Sequence, residues 1–106
     1  MGGEAEPLPS FRFEAEVIHW RGPSPFFFVP VPPAEAEALK GVMKAVSYGW
    51  GMIPVAATIA GVAFTTALFP KDATYFLPLK DKVRRTANIT AGDNVVVELT
   101  VRPPRR

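Results

Sequence analysis

Between Lys44 and Lys71 the chain runs for 26 residues, Ala45 to Pro70, without a charged side chain. A membrane-spanning helix needs about 20 consecutive apolar residues, so this segment separates two very different molecules. Its composition favours strands. Pro54, Thr58, Thr65, Thr66 and three glycines, Gly49, Gly51 and Gly61, interrupt it, and its side chains are small rather than leucine-rich. Ala60-Gly61 divides it into two runs, Ile53–Ala60 and Val62–Phe69. Two β-strands joined by a tight turn are predicted.

The same alternation recurs at both ends of the chain. Phe11, Phe13, Ala15 and Val17 alternate with Arg12, Glu14 and Glu16, the pattern of a half-buried strand over 11–18. Val95, Val97, Leu99 and Val101 alternate with Glu98 and Thr100 in a last strand over 95–101. Phe26-Phe27-Phe28-Val29 forms a short aromatic strand closed by Pro30 and Pro32. Thr74–Leu77 is a strand that Pro78 is expected to end. Pro33 suits the first position of a helix running to Val46, with Leu39, Val42, Met43 and Val46 as its apolar stripe. A second, shorter helix is predicted over Lys80–Ala87, and Ala91-Gly92-Asp93 turns back into the last strand.

Composition narrows what such a chain can do. Its 106 residues make one domain with enough core to fold without staples. It has no cysteine, which excludes disulfides, thiol nucleophiles and cysteine-held metals, and a single histidine, His19. The net charge is +2, but Arg102, Arg105 and Arg106 lie in the last five residues. Without residues 102–106 there are 9 bases against 10 acids, so the basic character is a property of the tail. Residues 1–10 read as a flexible lead-in, 11–101 as the domain and 102–106 as a basic flexible tail. The N-terminus has no signal-peptide pattern, and a cytoplasmic location is expected.

The domain reads as two pseudo-repeated halves, 11–60 and 62–101. Phe13-Glu14-Ala15-Glu16-Val17 matches Phe64-Thr65-Thr66-Ala67-Leu68. Phe27-Phe28-Val29-Pro30-Val31 matches Tyr75-Phe76-Leu77-Pro78-Leu79, and each is followed by a helix. Gly51-Met52-Ile53-Pro54-Val55 matches Gly92-Asp93-Asn94-Val95-Val96. Two such halves would pair about a pseudo-twofold axis and cover each other's sheet edges.

Two resemblances follow from these residues. The segment from Leu77-Pro78-Leu79 through Arg84 to Ala91-Gly92-Asp93-Asn94-Val95-Val96-Val97 resembles the swapped-hairpin signature of AbrB-type transcription factors. A larger set resembles a mainly bacterial family of uncharacterised domains, domain of unknown function 1905. That set comprises Phe13-x-Ala15-x-Val17, Val29-Pro30, Ile53-Pro54-Val55, Ile59-x-Gly61, Tyr75-x-Leu77-Pro78-Leu79, Arg84 and Gly92-Asp93-x-Val95. The resemblance implies a mainly β fold with two short helices, a double-split β-barrel, and no established activity.

The common catalytic motifs are missing: there is no GxGxxG, P-loop, HExxH or GxSxG. His19 has no second histidine to work with and reads as a strand-end residue. Glu14 and Glu16 share a solvated strand face. A non-catalytic domain is therefore expected, with no cofactor and no metal, as a monomer or weak dimer with no membrane contact. Its partner would be a small molecule or a protein. Tyr48, Trp50 and Trp20, with Arg84, are the candidate ligand residues, because glycine-flanked Trp50 can stack on a flat ligand. The alternative is an AbrB-like nucleic-acid binder using Lys80, Lys82, Arg84, Arg85 and the arginine tail. Against it, the first helix carries Glu35 and Glu37 where the second carries bases.

Overall fold

The computed structural model describes residues 9–20, 26–46 and 51–102. Tyr48, Trp50, most of the expected lead-in and the tail beyond Arg102 lie outside the described residues. The elements run β1 (Ser10–Glu16), β2 (Ile18–Trp20), β3 (Phe26–Pro30), α1 (Pro33–Val46), β4 (Ile53–Ile59), β5 (Val62–Lys71), β6 (Thr74–Leu79), α2 (Asp81–Ala87) and β7 (Asn94–Val101). The strands form one antiparallel sheet in the order β1-β7-β4-β5-β6-β3-β2, curled into a half-barrel. The two strands at the ends of this order, β1 and β2, are separated in the chain by Val17 alone. Among the described residues, no helix is long and apolar enough to cross a membrane.

The uncharged segment folds as a hairpin. β4 and β5 pair from Ile59↔Val62 to Ile53↔Leu68. Ala60 and Gly61 both take positive φ, 51° and 80°, the backbone of a two-residue turn whose twist matches that of its strands. Asp72 and Ala73, at 52° and 64°, do the same between β5 and β6. β4 buries Ile53, Val55, Ala57 and Ile59, and β7 buries Val97, Leu99 and Val101. Phe13 from β1, Val17 just after it, Leu77 and Leu79 from β6, and Leu39 from α1 join them in one core. No polar or charged residue is buried among the described residues.

Pro78 does not end its strand. β6 continues to Leu79, with Pro78 opposite Phe28. The neighbouring pair explains why. The Val31 N–H donates to the Tyr75 carbonyl at 2.8 Å. Alternation along the two strands then turns the nitrogens of Pro30 and Pro78 away from the β3–β6 ladder, so neither ring removes a donor from it. β5 likewise outruns its expected end at Phe69 and reaches Lys71. α2 begins at Asp81, with Lys80 in an extended conformation just before it (φ −72°, ψ 156°).

Candidate functional site

Phe27 and Phe28, successive residues of β3, send their side chains to opposite faces of the sheet. This separates the candidate ligand residues into two groups.

On the inner face, Phe27 lies opposite His19 in the β2–β3 register. The two rings stack at 4.6 Å with 25° between their planes. The Arg84 guanidinium lies over the same phenyl ring, 3.8 Å from its centroid. Arg84 also donates from Nη2 to Asp81 Oδ1 at 3.2 Å, one helical turn before it. Its Nε is buried without a hydrogen-bond partner. The arginine is thus held by a ring and a carboxylate of its own helix. Among the described residues, no carboxylate or hydroxyl group bonds to His19, so the arrangement a general base needs is not assembled around it.

On the outer face, Trp20 and Phe28 share a side with Phe69, Phe76 and Lys71. Phe28 meets Phe69 edge-on at 5.3 Å and Phe76 at 5.8 Å. Phe69 and Phe76, directly opposite each other in the β5–β6 register, stand 5.8 Å apart. Trp20 is 44% exposed, the more open of the two large apolar side chains left on the described surface. The Lys71 ammonium sits over its indole, 4.3 Å from the ring centroid. Trp20, Phe28, Phe69 and Lys71 line a notch of about 190 Å³. Trp20 and Arg84, grouped by the sequence, therefore lie on opposite faces of the same strand pair.

The basic residues of the second helix are also divided. Arg84 is turned onto Phe27, Lys80 and Lys82 border a cleft against β5, and Arg85 is exposed. Arg84 is thereby set apart from the three exposed bases. Glu14 and Glu16 are exposed on β1, and the described residues hold no cluster of His, Asp or Glu side chains able to grip a metal ion. The Tyr75 phenol is raised above its ordinary value by burial.

Lys71 and the Phe28–Phe69–Phe76 cluster were not singled out by the sequence. The available signal was the two-residue hairpin Lys71-Asp72-Ala73-Thr74, which sets Phe69 opposite Phe76 once its register is known.

These features define a small, antiparallel, barrel-like β domain with two helices and a solvent-facing aromatic notch. The chain belongs to the family described as Domain of unknown function (DUF1905), whose pattern matches residues 13–99. That span runs from within β1 to within β7 and takes in both candidate residue groups. No curated protein matches the chain.

Proposed function

We propose that this domain is a non-catalytic binding module, and that its ligand is a planar aromatic anion seated in the notch at Trp20. One observation carries the reading. The Lys71 ammonium rests on the indole of a half-exposed tryptophan, and no carboxylate among the described residues pairs with it. A cation held by a π-face keeps its charge available to an incoming anion. The neighbouring rings of Phe28 and Phe69 offer edges and faces to a flat ligand. At about 190 Å³ the notch suits a single ring.

The strand pairing supports a double-split barrel of two related halves as its scaffold. Exchanging β1–β2 with β5, β3 with β6, α1 with α2 and β4 with β7 maps every observed pairing onto an observed pairing, with β3–β6 and β4–β7 mapping onto themselves. Burial sets the register between halves: Ile53 faces the core whereas Asn94 is exposed, so Ile53 corresponds by face to Val95.

The test is a calorimetric titration with benzoate, with benzamide as its uncharged counterpart. Benzoate is expected to bind, and Lys71→Ala is expected to weaken it about tenfold, the loss of one charge-assisted contact. Trp20→Ala should abolish binding while Arg84→Ala leaves it unchanged. Equal binding of benzamide, or benzoate binding that survives Trp20→Ala, would contradict the assignment.

A further inference from the structure

β5 has an edge that its neighbours leave uncovered. The two-residue turn makes Ile59 and Val62 a doubly hydrogen-bonded pair. Phe64, Thr66 and Leu68 continue that phase opposite Ala57, Val55 and Ile53. Alternation therefore points the N–H and C=O groups of Ala63, Thr65 and Ala67 away from β4. Further along the same edge, Phe69 and Lys71 face β6 at Phe76 and Thr74. β6 then leaves β5 to pair with β3 from Phe76 to Leu79. On the side away from β4, no described strand pairs with Ala63, Thr65 or Ala67.

α2 lies beside this gap, and a cleft of about 330 Å³ remains between helix and strand. Phe64, Pro78 and Val83 give it an apolar wall, and Thr65 and Thr86 add hydroxyls. Lys80 and Lys82 stand at its border, exposed, and neither forms an ion pair among the described residues. No acidic side chain lines it. Asp81, between the two lysines in sequence, is already engaged by Arg84. The cleft thus offers two uncompensated positive charges, unpaired backbone donors and a short apolar surface.

We propose that the α2–β5 cleft binds a phosphate monoester with a small apolar body. A monoester carries close to two negative charges at neutral pH, which two lysines balance. Lysine serves phosphate as a point charge, without the planar geometry that arginine imposes. The N–H groups of Ala63 and Thr65 supply directional hydrogen bonds, and the ester's carbon chain rests on Phe64, Pro78 and Val83. The cleft shares no residue with the aromatic notch, so this proposal stands apart from that one.

The experiment is a calorimetric titration of the full chain with n-butyl phosphate, inorganic phosphate and a short DNA duplex. n-Butyl phosphate has no ring and tests the cleft without engaging an aromatic site. It is expected to bind more tightly than inorganic phosphate. Lys80→Ala with Lys82→Ala should weaken it about a hundredfold, roughly tenfold per lysine, and Arg85→Ala should leave it unchanged. Both lysines are exposed, so the double variant should fold as the parent does. Absence of n-butyl phosphate binding, or binding that survives the double variant, overturns the proposal. Inorganic phosphate binding equally well overturns the role of the apolar wall. Preferential binding of the duplex, weakened as much by Arg85→Ala as by the lysine changes, shows a diffuse basic surface and overturns it too.

Discussion

Arg84 carries three interactions of different sign. Its guanidinium gains from the Phe27 face and from Asp81, while its buried Nε goes without a partner. A desolvated cation–π contact contributes up to about 2 kcal/mol, and an unsatisfied buried donor costs about 1–3 kcal/mol. The two nearly offset, so most of what the residue contributes to stability is packing of its aliphatic stem against the ring. Arg84→Ala should therefore cost about 1–2 kcal/mol in urea unfolding, and Arg84→Met should recover most of that loss. A methionine variant as unstable as the alanine one would show that the charge itself matters. Trp20 presents the opposite case, because its ring is left open to solvent. The sequence placed both residues in one candidate site because it could not assign them faces. Phe26-Phe27-Phe28 has no polar residue to mark a period, so the triplet reads the same in either phase.

Elements with a clear period or punctuation were legible. Pro33 marked the start of α1, which runs Pro33–Val46 as expected. The alternation over residues 11–17 fixed an inner face of Phe13 and Val17 and an outer face of Arg12, Glu14 and Glu16. Gly61 marked the β4–β5 turn. Pro78 misled because a proline's effect on a strand depends on which way its nitrogen points, and that follows from pairing, not from sequence. The edge choice of β5, first with β4 and then with β6, was equally hidden, because it is a long-range property. The turns themselves can be tested. A Cβ on Gly61 would meet nothing within 4 Å, so Gly61→Ala carries only the backbone penalty of its φ of 80°. It should destabilise by about 1 kcal/mol. Ala73 already bears that strain at 64°, and Ala73→Gly should stabilise by about 0.5–1 kcal/mol. Chemical denaturation reads both. Changes of the same sign in the two variants would contradict the two-residue turns.

At the scale of the molecule, the core formed by the described residues is apolar, and its one titratable side chain is Tyr75, only 2% exposed. Burial raises its phenol above 10.0. Well below pH 10.0 the side chain is neutral whether the chain is folded or not, and its contribution to stability is fully present. As pH rises past that value the unfolded chain ionises first, and stability is lost until the folded value is passed. Tyr75→Phe should flatten this alkaline decline in melting temperature relative to the parent. An unchanged decline would show that other groups drive it. The two candidate sites lie outside this core, on surfaces left by the sheet's curl and by the parting of β5 from β6. Binding there adds stability by mass action, about 2.7 kcal/mol at a ligand concentration a hundred times the dissociation constant. The most direct measurement is a heteronuclear NMR titration of the ¹⁵N-labelled chain with benzoate. Saturable shifts are expected at the Trp20 indole N–H and at the backbone amides of Phe28, Phe69 and Lys71, with Ala63 and Thr65 unmoved. Shifts confined to other residues, or no shift at any of these signals, would contradict the notch as the binding site.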